Sequence, residues 1–265
     1  MTDDSPPRRI AVVTGASSGI GEATARLLAA DGWHCVLVAR REDVLRSIAT
    51  EIGGELAACD VGDRAAVALT TARILERHPA VDLLVNSAGI LARGSFVDAS
   101  SELIEQALAV NYLGGVWMMR GLLDGLREAA RLRGRAHIAT IASIGGSIVF
   151  TPAAPYSASK HAQVAFSRSL RAALHGTGIE VHTILPGFVT TPGFPHPKLF
   201  STRFGRRFVV GPERVAAKLV SAVEKGKAEI VIPWFPYGLG PVAQAIVPTL
   251  TATVLCTAEY PDEPG

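Results

Sequence analysis

Seven short runs of near-continuous apolar, β-prone residues recur along the chain, at 10–13, 35–39, 56–59, 83–85, 137–142, 181–185 and 230–232. Runs without polar interruption are what parallel strands buried on both faces require. Segments of helical period fill the gaps between them. The first helix spans about 20–30 and closes at Gly32, a residue suited to a left-handed cap. Asp63 can cap the helix after the third strand, and Pro212 with Glu213 suits the first turn of a late helix that stops near Gly226. Two long helices, about 102–127 and 157–174, lie between the fourth and sixth strands. Strictly alternating strands and helices predict an α/β, Rossmann-type doubly wound fold, with a seven-stranded, mainly parallel sheet and helices on both faces. In such a sheet ligands gather at the carboxyl ends of the strands.

Composition narrows the possibilities. A chain of 265 residues, 48% hydrophobic and 6% aromatic, can bury one large core, and a single domain over 9–233 is expected. The net charge of +2, from 26 basic and 24 acidic residues, provides no broad basic field, so nucleic acid is not an expected partner. Cys35, Cys59 and Cys256 are isolated and odd in number, which argues against a disulfide framework or a zinc site and for a reducing, cytoplasmic setting. The seven histidines, at 34, 78, 137, 161, 175, 182 and 196, show no metal-ligand spacing, so no metal is expected. Residues 1–8 are polar with Pro6-Pro7 inside them; they resemble neither a signal peptide nor an anchor and are expected to be disordered.

Three features carry chemistry. Gly15, Gly19 and Gly21 follow the first strand and open a helix, so the backbone can approach a pyrophosphate whose charge the helix N-terminus favours. Their spacing is GxxxGxG, where the usual dinucleotide fingerprint is GxGxxG. About twenty residues on, where an enzyme preferring NAD places an acid for the ribose hydroxyls, the chain has Ala39-Arg40-Arg41. A guanidinium there suits a 2′-phosphate, which makes NADP(H) the expected cofactor. Tyr156 and Lys160, four residues apart, share one helix face, so an ammonium can sit beside a phenol and favour its phenolate. Ser143, at the end of the fifth strand, can orient a substrate oxygen beside that acid. Each residue alone has a bland alternative as packing, capping or turn residue, but their common order at the mouth of one sheet argues for a site.

With TGASSGIG at 14–21, Asp60-Val61, Asn86-Ser87-Ala88-Gly89, Asn111, Ser143, Tyr156-x-x-x-Lys160 and Pro186-Gly187 with Thr191, the chain resembles the short-chain dehydrogenase/reductase family, of the compact single-domain type. The resemblance runs from about residue 9 to 233. It implies a catalytic set of Asn111, Ser143, Tyr156 and Lys160, with Tyr156 as general acid and base. It also implies a cofactor site from Gly15, Ser17, Ser18, Gly19, Ile20 and Gly21, Arg40 and Arg41, and Asp60 and Val61. Asp60 would bond the adenine amino group, and Asn86, Ala88 and Gly89 would line the ribose. Tyr156 and Lys160 would touch the cofactor, Pro186 and Gly187 would form the turn beside it, and Val189 and Thr191 would hold the nicotinamide amide. Asn111 would hold a water linking Lys160 to solvent. The family's usual NNAG is NSAG here.

Two segments are expected to set specificity. Residues 192–210 hold four phenylalanines among Arg203, Arg206 and Arg207, where a substrate lid belongs. The phenylalanines suggest an apolar substrate; the arginines are also compatible with an anionic group. Residues 230–258 carry no charge, yet Pro233, Pro236, Pro241 and Pro248 break them, so 234–265 is expected to be a flap over the site or a subunit contact in a homo-oligomer, with peripheral membrane contact as the alternative. The leading expectation is an NADP(H)-dependent oxidoreductase interconverting a carbonyl and a secondary alcohol on an apolar small molecule. The alternatives are a non-catalytic nucleotide-binding sensor or scaffold and a ketoreductase of acyl thioesters, the latter disfavoured by the absence of a terminal VDGG-like strand.

Overall fold

The computed structural model describes residues 8–95, 97–149, 153–191 and 208–256. Its first half alternates β1 (Ile10–Thr14), α1 (Gly19–Ala30), β2 (His34–Ala39), α2 (Glu42–Ile52), β3 (Glu55–Ala58), α3 (Arg64–Arg77) and β4 (Leu83–Asn86). Next come α4 (Ser101–Leu108), a π turn (Ala109–Leu113), α5 (Gly114–Gly121), α6 (Leu123–Arg133), β5 (Ala136–Ile141) and α7 (Ala154–Ala173). The remainder comprises β6 (Ile179–Pro186), two short strands β7 (Phe188–Val189) and β8 (Val209–Val210), α8 (Pro212–Glu224), β9 (Glu229–Ile232), α9 (Gly240–Ile246) and α10 (Pro248–Cys256).

Each predicted apolar run became a strand of one seven-stranded sheet, in the order β3-β2-β1-β4-β5-β6-β9, and every pairing is parallel. Alternate residues along the strands feed two cores. Val13, Val85, Ala139 and Ile184 pack against α1, α2 and α8 on one face. On the other, Val12, Leu84 and Ile138 meet α3, α5 and α6. Burial of twelve large side chains to under 2% exposure on these two faces is the main stabilising contribution. The strand order reverses between β1 and β4, which opens a crevice at their carboxyl ends.

Local signals fix the helix ends. Asp63 accepts from the backbone N–H of Ala65 and Ala66, satisfying two groups that the first turn of α3 cannot pair. Gly32 follows α1 with a φ of +82°, a conformation that costs a side chain energy and glycine little. The helix expected over 102–127 is instead three pieces. A π turn interrupts it at Ala109–Leu113, α5 stops at Gly121, and α6 runs on to Arg133. Close approach requires glycine at the start of α5: a Cβ at Gly114 would lie 2.7 Å from the Val61 carbonyl oxygen.

The C-terminal segment divides. Tyr237 is buried with Ile144 and Ile148 in a small cluster, so this part of the tail belongs to the fold. Trp234, Phe235, Leu239, Val242, Ile246 and Leu250 are exposed. Among the described residues, no helix is long and apolar enough to cross a membrane. The expected lid at 192–210 falls outside the described residues except for Phe208, Val209 and Val210; residues 1–7 and 257–265 fall outside them too.

Candidate active site

At the carboxyl end of β1 the chain must turn into α1 while passing close to the end of β4. Gly15 has a φ of +66°, and a Cβ on it would lie 2.8 Å from the Ala88 backbone, so only glycine fits. Thr14 ties the two strand ends together: its Oγ1 accepts from the N–H of Ser87 at 3.0 Å and of Ala88 at 3.1 Å. Gly15, Ser17, Ser18, Gly19 and Ile20 line the cleft that results, and the N-terminus of α1 opens onto it. That floor is shaped for a phosphate group.

The end of β2 supplies the flank. Arg41 donates to the Ser17 carbonyl at 2.9 Å and to the Ser17 hydroxyl at 3.0 Å, so one guanidinium braces the glycine loop. Arg40 lies 3.8 Å from the Asp60 carboxylate and is largely exposed. Asp60 is itself held by the Gly62 N–H at 2.9 Å. Arg40, Arg41, Asp60 and Val61 all line the cleft.

Lys160 sits at the inner end of the cleft on α7, 5% exposed. Its Nζ donates to the Ile141 carbonyl at 3.1 Å and to Gln163 Oε1 at 2.8 Å, and it lies 5.7 Å from the centroid of the Tyr156 ring. Burial pushes its pKa down to about 7, because the charged form loses hydration there. Ser143 closes β5, and its Oγ accepts from the Gly145 N–H at 3.0 Å. Tyr156, Lys160 and Ser143 share the cleft with Ala88, Gly89, Pro186, Gly187, Val189 and Thr191. The parallel pairing of β5 and β6 sets Ile141 opposite Ile184, which brings the Ser143 turn alongside Pro186-Gly187.

Three expected residues stand behind the cleft wall. Asn86 ends β4 with its amide buried against α5, where Gly115 would meet it, so it does not line the cleft. Gly21 allows the first turn of α1 to close on Gly15. Asn111, in the π turn, accepts from the Ile90 N–H at 2.7 Å and donates to the Ile90 carbonyl at 3.1 Å and the Ser159 hydroxyl at 2.9 Å. Ser159 donates in turn to the Tyr156 carbonyl at 2.7 Å. Both amide hydrogens of Asn111 are thus committed, one to the Ile90 carbonyl and one to Ser159 on α7, and a water on this residue would have to donate to one of its oxygens.

Some site residues carry no motif. Gln163 holds Lys160, and its signal is only the three-residue spacing on the same helix. Ile144, Ala153 and Phe188 give the cleft an apolar wall, and Tyr237 packs beneath Gly187 with its hydroxyl donating to the Phe208 carbonyl at 3.1 Å.

The architecture is shared widely. The family model described as short chain dehydrogenase matches residues 9–196. An uncharacterized oxidoreductase of Mycobacterium tuberculosis is 45% identical over 192 residues, covering 72% of this chain and 73% of that protein. Dehydrogenase/reductase SDR family member 7B of Danio rerio is 30% identical over 259 residues, covering 91% of this chain and 81% of its own. Among solved structures, a variant of actinorhodin polyketide ketoreductase with NADPH superposes with a TM-score of 0.76 at 30% identity, covering 85% of this chain and 95% of that one. With the family model matched over residues 9–196 and a relative 30% identical across 91% of the chain, the chain belongs to the short-chain dehydrogenase/reductase family of oxidoreductases.

Proposed function

We propose that the protein is an NADP(H)-dependent oxidoreductase that interconverts a carbonyl and a secondary alcohol on an apolar small molecule, with Tyr156 as general acid and base. The observation that carries this reading is the buried Lys160 amine 5.7 Å from the Tyr156 ring in a cleft that also holds Ser143. A free phenol titrates near 10, too high to exchange protons readily at neutral pH; a neighbouring ammonium lowers it. Two hydrogens of Lys160 are taken by Ile141 and Gln163, so the third, present only in the charged form, is left for the phenol side or for a ribose hydroxyl.

The residues present fit the dinucleotide. The close approach at Gly15 and the start of α1 suit a pyrophosphate, and Val189 and Thr191 face the cleft where the carboxamide would be held. Ser17, Arg40 and Arg41 form a cationic, hydroxyl-bearing end suited to a 2′-phosphate, and no acid ends β2. When bound, the nicotinamide supplies or takes the hydride. Tyr156 gives the proton to the substrate oxygen in reduction and takes it in oxidation; Ser143 fixes that oxygen by a hydrogen bond. Ile144, Ala153 and Phe188 exclude water and favour an apolar body.

The test is loss of NADPH absorbance, with NADH in parallel, across apolar ketones and 3-ketoacyl thioesters, since a solved relative is named as a polyketide ketoreductase. Turnover with NADPH preferred is expected. Cofactor binding without turnover on any member of both series would favour a sensor instead.

A further inference from the structure

The amino end of the sheet, opposite the active site, holds a cluster that sequence distance conceals. His137 is the second residue of β5 and stands beside Glu180, the second of β6, in the strand register; His182 follows Glu180 by two and so points to the same face. This is the face covered by α1 and α8, about 13 Å along the strands from Ile141. His137 is 6% exposed and His182 1%.

Their donor atoms converge. His137 Nδ1 lies 3.1 Å from His182 Nε2, and Glu180 Oε2 lies 3.7 Å from the first and 3.8 Å from the second. Four ligands placed tetrahedrally at about 2.0–2.1 Å from an ion stand about 3.3 Å apart, so shifts of a few tenths of an ångström would seat one among these three atoms. The next shell is also built. His182 Nδ1 is 2.8 Å from the Lys227 carbonyl, which can only accept, so Nδ1 carries the hydrogen and Nε2 presents a lone pair. A backbone carbonyl on the far nitrogen is how metal-bound imidazoles are oriented. With His182 Nε2 as acceptor, the 3.1 Å contact is a hydrogen bond donated by the His137 Nδ1–H, and an ion entering there takes the place of that hydrogen, which moves to Nε2 of the same ring. Glu180, about half exposed, provides both the entry path and the balancing charge.

We propose that His137, His182 and Glu180 bind one divalent transition-metal ion, zinc by preference, which clamps β5 to β6 at the end of the sheet remote from the cleft. His137 binds in its Nε2–H tautomer, remaining neutral, and water completes the coordination. Nearby Arg9 and Arg135 disfavour ions held chiefly by charge, such as magnesium or calcium, and leave those that favour nitrogen donors. A second trio, His34, Glu55 and His78, is a contrasting case. Both imidazoles there bond one oxygen of Glu55 at 2.9 Å while Arg77 pairs with the other at 3.4 Å, so both carboxylate oxygens are already engaged.

The experiment is titration of chelator-treated full-length protein with Co²⁺, read by its visible absorption, followed by displacement with Zn²⁺ and by melting with and without Zn²⁺. One Co²⁺ per chain is expected, with bands of a four- or five-coordinate ion, lost on Zn²⁺ addition, and Zn²⁺ should raise the melting temperature. Glu180→Gln, at an exposed position that leaves the core intact, should weaken binding about tenfold or more, since even outer-sphere partners of a metal are worth that. His182→Gln should abolish binding; circular dichroism tells loss of ligand from loss of fold, and Glu180→Gln decides the matter if His182→Gln does not fold. The double variant His34→Gln/His78→Gln should bind as wild type does. Absence of stoichiometric Co²⁺ or Zn²⁺ binding by wild type, unchanged affinity in Glu180→Gln, or loss confined to the His34/His78 variant would each overturn the assignment.

Discussion

Gln163 accepts a 2.8 Å hydrogen bond from Lys160 one turn further along α7, in an interior where Lys160 also donates to the Ile141 carbonyl at 3.1 Å. The amide oxygen therefore helps keep a buried amine chargeable. Ionised Lys160 is disfavoured by burial, which brings its pKa from 10.5 down to about 7. A depressed lysine makes the charged form fade as pH rises through that value, so the support it lends to the phenolate fades with it.

From this follows a pH prediction. Gln163→Leu removes an acceptor that favours the charged form, so the Lys160 pKa should fall further. The loss of a hydrogen bond to a charged group is worth about 1.5–3 kcal/mol, roughly one to two pH units. The alkaline limb of the kcat profile with saturating NADPH should move to lower pH by about that amount, with activity at pH 8 falling more than at pH 6. An unmoved profile would place the control of Lys160 elsewhere.

Tyr156→Phe should leave cofactor affinity nearly unchanged and reduce turnover by about 10²–10⁴-fold, the contribution typical of a positioned acid. Cofactor titration together with initial rates measures both. Retention of more than about a tenth of kcat would remove Tyr156 from the role given to it.

Arg40 is exposed and stands 3.8 Å from Asp60, so it is the easier of the two arginines to change without disturbing the loop that Arg41 braces. Arg40→Asp should turn attraction for a 2′-phosphate into repulsion and lower the preference for NADPH by roughly ten- to a hundredfold in KM. KM values for NADPH and NADH in both proteins decide it; a wild type that already prefers NADH would defeat the cofactor assignment.

Tyr237 couples the tail to the cofactor turn. Tyr237→Phe loses the bond to the Phe208 carbonyl and should cost about 1 kcal/mol of stability. Tyr237→Ala empties the space against Gly187, Ile144 and Ile148 and should cost about 3 kcal/mol or more, with cofactor affinity reduced as well. Denaturant melts and cofactor titration report the two effects. A Tyr237→Ala protein with wild-type stability would return the whole tail to the status of a detachable flap.

The strands were legible because burial on both faces forces unbroken apolar runs, and Asp63 and Gly32 were legible because a cap needs a particular residue type. The cleft followed from glycine spacing and from Tyr156 and Lys160, whose chemistry dictates their separation. What escaped was whatever depends on position in three dimensions. Asn86 is buried beside Gly115 of α5, a contact that no spacing encodes. Asn111 proves to brace Ile90 and Ser159 through its side chain, and periodicity cannot register one surplus residue in a helix. His137 and His182 are 45 residues apart in sequence and meet only through the register of β5 on β6.

That surplus residue sets how this helix tolerates change. A π turn closes on the fifth residue instead of the fourth, and each residue of an α-helix rotates the chain by about 100°. Deleting one residue within Ala109–Leu113 would relax the turn into ordinary α-helix and swing α4 about 100° relative to α5, carrying Asn111 off Ile90 and Ser159. Residue count here acts as a phase setting: substitutions along the outer face of α4 leave it intact, whereas a single insertion or deletion would unlock Tyr156 from behind without touching any residue of the cleft.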